Sequence, residues 1–335
     1  MDWLDMIGPS LQGWERALYF KKGSLPVSEI HQSWLSTFRY CPRKARLYAQ
    51  KAGGKTSFYM FGGSVFHQAM EEAVKHSDRS QWLGWTGDIR YWDHVFDKVF
   101  LRNPRESFSD AIDYGKFRAK LINKNILYGS TIGQLIYGAI AMLEASGFEV
   151  IACEKELRLD VGDGIPYVGV LDLLLNHRQT GPVIADTKTG GIWQRFFQDK
   201  PLSAQRYSPE QVSNHLQLTH YGWQGWRAGH WDMHYIKQHM IFTPVNLTKN
   251  IRGKNAGKMR GPAFHFGLPH TRNWARYEED LTQWLQLAAS GFYPRFYPAE
   301  FGKMACGRCT FADDCLKDKV SEKVPNYLPT GGDLI

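Results

Sequence analysis

The chain has 335 residues, 43% of them hydrophobic, enough for one large domain or two modest ones with a buried core. Its 41 basic against 33 acidic side chains leave a net charge of +8, which favours a polyanionic partner without naming one. Met1 to Phe20 carries Asp2 and Asp5 and lacks the apolar run of a signal peptide. No later stretch approaches the ~18 apolar residues of a membrane span, so the expectation is a soluble, cytoplasmic protein with no membrane partner.

In chain order, residues 32–50 read as a helix rich in Arg and Lys around Cys41, with Ser36 a candidate N-cap. From 58 to 148 the pattern is mostly helical, with Val65, Phe66, Ala69, Met70 and Ala73 at helical spacing. Within this region Trp82, Trp85, Tyr91, Trp92, Phe96 and Phe100 form an aromatic stretch. Such a stretch can stack nucleobases but more often fills a core. After Gly147 the period shifts to extended structure, giving strands at 148–160, 167–176 and 182–186 with a Gly-Asp-Gly turn at 162–164. A helix at 209–228, a strand at 233–242 and a helix at 274–289 follow. Residues 246–262 carry Lys249, Arg252, Lys254, Lys258 and Arg260 and no acid, which suits a basic loop that is either solvated or in contact with phosphate.

Two carboxylates break the apolar pattern of their strands. Asp172 stands in Val168-Gly-Val-Leu-Asp-Leu-Leu-Leu175, and Asp186 ends Val183-Ile-Ala-Asp186. Burying such groups is costly, and two violations close in sequence ask for a shared compensation, most simply a cation. Strand side chains alternate, so Asp186 and Lys188 face the same side and converge on one point, a geometry suited to metal-assisted hydrolysis.

The run Gly169-Val-Leu-Asp172 followed by Ile184-Ala-Asp-Thr-Lys-Thr-Gly190 resembles the active-site hairpin of the PD-(D/E)xK nuclease superfamily, in its RecB-like branch. Gly63-Ser-Val-Phe-His67 is similar to that branch's G-x-x-x-H element and Gln217-Leu-Thr-His-Tyr221 to its Q-x-x-x-Y element, in the same order. The resemblance implies an α/β fold: a restriction-endonuclease-like core with a central mixed sheet flanked by helices, a helical N-terminal region and a C-terminal cysteine segment. The corresponding segments are 1–57, supplying one cysteine, 58–147 with the histidine, the nuclease core at 148–245, and 246–335 with the basic loop, late helix and cysteines.

It further implies Mg2+ or Mn2+ held by His67, Asp172, Asp186 and the backbone carbonyl of Thr187, with Lys188 as catalytic lysine and Gln217 and Tyr221 orienting it or the substrate. Glu154 and Glu156 lie in the preceding strand, where relatives often carry a supporting acid; both also read as exposed alternate positions of an edge strand, and the choice between them stays open. Arg39, Arg43, Lys44 and Arg46 and the basic loop are candidates to line a DNA channel. The implied substrate is DNA, as single strands or duplex ends, so an exonuclease is expected before an endonuclease. No G-x-x-x-x-G-K-[ST] phosphate loop is present, so unwinding would need a helicase partner. Recombination and CRISPR-adaptation proteins are further candidate partners. The other readings are a DNA-binding or scaffolding subunit with a silent site and a site-specific endonuclease.

Of five cysteines, Cys306, Cys309 and Cys315 give C-x-x-C-x5-C, three thiolates able to wrap one metal, with Cys41 the natural fourth ligand. Spacing alone allows zinc or iron-sulfur. One early and three late cysteines around a RecB-like core resemble the arrangement of iron-sulfur nucleases, including AddB-type and CRISPR-associated adaptation nucleases, which implies a four-iron four-sulfur cluster. Cys153 is expected to be a small buried apolar residue.

Overall fold

Proline and polar caps set the punctuation of the helices. The structure, a computed structural model, describes residues 25–50, 58–103, 105, 108, 112–124, 129–161, 165–189, 192–193, 207–244, 246–247, 259–260, 262–269 and 271–291. The chain divides into two units, a larger one of 55–157 and 169–275 and a smaller one of 1–54, 158–168 and 276–335.

In the smaller unit the helix expected over 32–50 is two helices, α1 (Gln32–Tyr40) and α2 (Pro42–Gln50). Pro42 has no N–H to continue the ladder and forces the residue before it out of helical geometry, so Cys41 is extended at φ −157°. Ser36 is not the N-cap: His31 occupies that position, and Ser36 Oγ, one turn inside the helix, accepts a hydrogen bond from Gln32 Nε2. Trp34 Nε1 donates to the carbonyl of Ala45 at 3.1 Å, joining the two helices. Arg43 is buried at 2% exposure, so it cannot line an open channel as the sequence suggested. The two-residue strand β1 (Ile30–His31) pairs in parallel with Tyr167 and Val168.

The larger unit holds the helices α3 (Phe58–Lys75), α4 (Arg79–Trp85), α5 (Ile89–Arg102), α6 (Tyr114–Leu121) and α7 (Ile132–Ala145). Asp78, Asp88, Asp113 and Thr131 cap α4 to α7 through side-chain oxygens that accept backbone N–H groups, Thr131 within a capping box closed by Gln134. Strands β2 (Phe148–Val161), β3 (Ile165–His177) and β4 (Gly181–Thr187) follow as the alternation predicts. The helix expected over 209–228 breaks at Asn214 into α8 (Pro209–Ser213) and α9 (Leu216–Arg227). Then come β5 (Gln238–Thr243), the short pair β6 (Asn246–Leu247) and β7 (Met259–Arg260), β8 (Ala263–Gly267) and α10 (Thr271–Ala289). Strand β5 is shorter at its start than expected, and β8 was not foreseen from its sequence, Ala-Phe-His-Phe-Gly.

One mixed sheet of six strands runs β1-β3-β4-β5-β8, with β2 also paired to β3. This is a restriction-endonuclease-like α/β fold, a mixed sheet flanked by helices. One core cluster joins Phe61, Val65, Phe66 and Ala69 of α3 and Ile136, Ala139 and Ile140 of α7 to Leu173, Leu175, Val183, Ala185, Met240 and Phe242 of the sheet. A second cluster joins Val212 and Leu218 to Leu171, Leu174, Ile184 and Ile241. The sheet is therefore covered on both faces, which explains why its central strands read as near-continuous apolar runs. Among the described residues no helix is long and apolar enough to cross a membrane.

Candidate metal and catalytic site

The site begins where a hairpin stops pairing. Strands β3 and β4 are antiparallel, with their ladder running from His177↔Gly181 to Leu173↔Ala185, while β4 continues beside β5 through Asp186↔Ile241 and Thr187↔Phe242. Residues two apart on a regular pleat share a face, yet Leu173 belongs to one core cluster and Leu171 to the other. The strand turns over at Asp172. Its carboxylate then takes the place of a ladder carbonyl: Thr187 N–H donates to Asp172 Oδ2 at 2.7 Å. Asp172 is 7% exposed and Asp186 1%, so two carboxylates are buried at the open end of the hairpin.

Glycine brings the neighbouring helix down onto this end. A Cβ on Gly169, three residues before Asp172, would lie 2.8 Å from His220 Nε2 and still closer to Gln224 Oε1, both on α9. Gln224 Nε2 also donates to the carbonyl of Leu157 at 2.8 Å, tying α9 to β2. Helix α9 thereby presents Gln217 and Tyr221, one turn apart, to Lys188. Lys188 Nζ donates to Gln217 Oε1 at 3.0 Å, and Gln217 Nε2 donates to the Tyr221 hydroxyl at 2.9 Å. On its other side Lys188 Nζ lies 2.6 Å from Asp186 Oδ2, an ion pair by distance whose angle forms no hydrogen bond. The convergence of residues 186 and 188 expected from strand alternation is present.

His67 comes from α3, whose apolar face is buried in the first core cluster. At the preceding G-x-x-x-H glycine there is room, since among the described residues a Cβ on Gly63 would meet only Thr189 Oγ1 at 3.7 Å. The tight position is Gly62, against the ring of Trp193. His67 Nδ1 lies 2.8 Å from Glu154 Oε1 and 3.9 Å from Asp172 Oδ2. Glu154 is thus not an exposed edge position, whereas Glu156 is exposed. Among the described residues Glu154 is the one non-glycine with positive φ, at 51°. Left-handed backbone costs of order 1 kcal/mol or more outside glycine and is retained where surroundings over-determine it. Cys153 packs in one core cluster and Leu157 in the other, a reversal that a regular pleat forbids and that the turn at Glu154 supplies. Cys153 itself is buried, as its sequence context suggests.

The electrostatics of the cluster are those of anions short of a cation. Burial is the largest influence on Asp172 and raises its carboxyl, the nearby charges of Asp186 and Glu154 raise it further, and His67 and the Thr187 N–H pull it back. For His67 burial pulls downward, but Asp172 and Glu154 outweigh it and push the imidazole up to about 9. One donor atom each from His67, Glu154 and Asp172 lie within 4.8 Å of one another, a mixed oxygen and imidazole set that fits a divalent metal. Asp186 stands beside this trio, its charge felt by both His67 and Asp172, but its carboxylate is paired with Lys188. Thr187 takes part through its N–H.

Sequence reasoning passed over two further groups near Asp186, Tyr207 and His215. The charge of Asp186 acts on both, and that of Lys188 also acts on His215. Neither belongs to a recognisable spacing in the sequence. Of the cysteine set only Cys41 is described, half-buried between α1 and α2; Cys306, Cys309 and Cys315 lie outside the described residues, as does the centre of the basic loop.

A mixed sheet whose splayed hairpin carries two buried carboxylates and a lysine, with a histidine from an adjacent helix, defines a phosphodiester-hydrolase class of α/β protein. A family model of the PD-(D/E)XK nuclease superfamily matches residues 30–316, and the chain belongs to that superfamily. Nucleases of this superfamily use divalent metals, in keeping with the donor set. A comparison with curated proteins gave no match.

Proposed function

We propose that the protein is a metal-dependent deoxyribonuclease that acts on single-stranded DNA or DNA ends as an exonuclease. The observation that carries this reading is the meeting of Asp172, Asp186, His67 and Lys188 at the open end of one hairpin, with Lys188 held by Gln217 and Tyr221. Three supports come from outside that geometry: superfamily membership, the net positive charge and the basic segment 246–262.

In this reading His67, Asp172, Asp186, Glu154 and the carbonyl of Thr187 supply the ligand set for Mg2+ or Mn2+. When bound, that ion supplies Lewis-acid polarisation of a phosphodiester oxygen and a more acidic water. Lys188, held between Asp186 and Gln217, orients the attacking water and offers positive charge to the phosphate oxygens as negative charge grows there. Gln217 fixes the direction of the ammonium: its amide oxygen accepts from Lys188 while its amide nitrogen is engaged by Tyr221. Glu154 holds the His67 ring in place through Nδ1. The products would carry 5′-phosphates.

The resemblance of Cys41, Cys306, Cys309 and Cys315 to an iron-sulfur nuclease set supports a structural four-iron four-sulfur cluster that joins the two ends of the chain. A helicase, recombination or CRISPR-adaptation partner is the natural source of single strands. Digestion of end-labelled linear, end-blocked linear and closed circular DNAs with Mn2+ tests the reading. Loss of label from free ends only is expected, and cutting of circles contradicts the exonuclease mode.

A further inference from the structure

A second feature of α3 lies beyond His67. A cavity of about 310 Å³ opens on the larger unit, its walls including Glu72, Lys75, His76, Trp85, Tyr91 and Lys98. That is at the small end of ligand-pocket volumes, ~300–1,000 Å³, and suits a single flat ring with its attached phosphate better than a larger ligand. The aromatic stretch singled out in the sequence divides here. Trp82, Trp92 and Phe96 are buried, while Trp85 is 46% exposed, the most exposed aromatic side chain among the described residues.

The surroundings make Trp85 a platform. His76 meets it in a T-shaped contact, at a centroid distance of 4.7 Å and an interplanar angle of 87°. Trp82 Nε1 donates to the Tyr91 hydroxyl at 2.9 Å, which fixes the wall behind. Two ammonium groups stand at the rim with exposed side chains. Lys98 is 3.1 Å from Glu72 Oε1 and Lys75 is 2.6 Å from Glu71 Oε1. Glu71 is also held by Arg102, so an incoming phosphate can draw Lys75 away without leaving that buried carboxylate unpaired.

From these observations we infer that the cavity is a nucleotide subsite: one base of a single strand stacks on Trp85 against His76, and its phosphate is met by Lys75 and Lys98. Stacking and point-charge contacts read no base identity, so the subsite is sequence-tolerant. The inference rests on the nuclease reading and deepens it. His76 directly follows the end of α3, the helix that carries His67, about 14 Å further along its axis.

The test is binding of a fluorescein-labelled oligothymidylate to the full chain in EDTA, where nothing is cut, for wild type, Trp85→Ala, Trp85→Phe and Lys98→Ala. Trp85→Ala should weaken binding about tenfold, Trp85→Phe should retain most of the affinity, and all melting temperatures should stay within a few degrees of wild type. Lys98→Ala should make the salt dependence shallower by about 0.7 in log-log slope, the loss of one phosphate contact. Equal affinity of Trp85→Ala and wild type overturns the subsite. So does a Trp85→Phe protein that melts normally yet binds as poorly as Trp85→Ala. A wild type that binds as described but never cleaves defeats the nuclease reading and leaves the subsite standing.

Discussion

The two ends of the β3–β4 hairpin obey different rules. At the closed end, from Leu173↔Ala185 to His177↔Gly181, the ladder is regular and its side chains fill the two core clusters. At the open end the ladder lapses, a carboxylate replaces a carbonyl as acceptor for Thr187, and charged groups are buried with too few partners. The difference teaches that the site is made by interrupting a sheet that is otherwise fully paired. Stability resides in the closed end, and the proposed chemistry in the open one.

Substitutions separate the two ends. At the open end Lys188→Ala removes the ammonium that faces both Asp186 and Gln217, and cleavage should fall about a thousandfold or more with little change in melting temperature. Asp172→Asn should lose activity to a similar degree, yet melt higher than wild type in EDTA, because a carboxylate disfavoured by burial is gone. At the closed end Leu175→Ala opens a cavity in the first core cluster and should cost about 2–5 kcal/mol of stability, measured by urea unfolding, while activity per folded molecule persists. Glu154→Gln keeps a hydrogen-bond partner for His67 but removes a charge. It should raise the Mn2+ concentration needed for half-maximal activity about tenfold or more.

The smallest effect is a pH dependence confined to the open end. The raised His67 pKa stabilises the metal-free fold fully below 6.5, and that contribution is lost as pH rises through about 9. Asp172, also raised, is easier to ionise unfolded than folded, so its contribution likewise declines as pH climbs above 3.8. The two agree in sign. In EDTA the melting temperature should fall from pH 6 to 8.5, and stabilisation by Mn2+ should grow over the same interval. An unchanged difference between the Mn2+ and EDTA curves across that interval would remove the anionic cluster as the metal site.

Much of this was legible in the sequence. Asp172 and Asp186 announce themselves as acids inside apolar runs, and the alternation that aims Lys188 at Asp186 follows from strand geometry alone. Glu154 was not legible, because a regular pleat puts Glu154 and Glu156 on the same face. Only the left-handed turn at Glu154 separates them, and no residue type there signals it. The break between α1 and α2 was readable from Pro42 and was overridden by the helical period on either side. Strand β8 was missed because five residues with a central histidine carry too little alternation, and its existence depends on the edge that β5 offers. Residues 248–258 and the late cysteines lie outside the described residues, so there the sequence reading is the whole account.

The most direct measurement is cleavage of end-labelled single-stranded DNA by wild type and Lys188→Ala, in Mn2+ and in EDTA, with folding checked by thermal melting. The account expects nucleotide release by wild type in Mn2+ alone and none above background from a Lys188→Ala protein that melts normally. Equal release by both proteins, or release undiminished in EDTA, would contradict a hydrolytic centre at the open end of the hairpin.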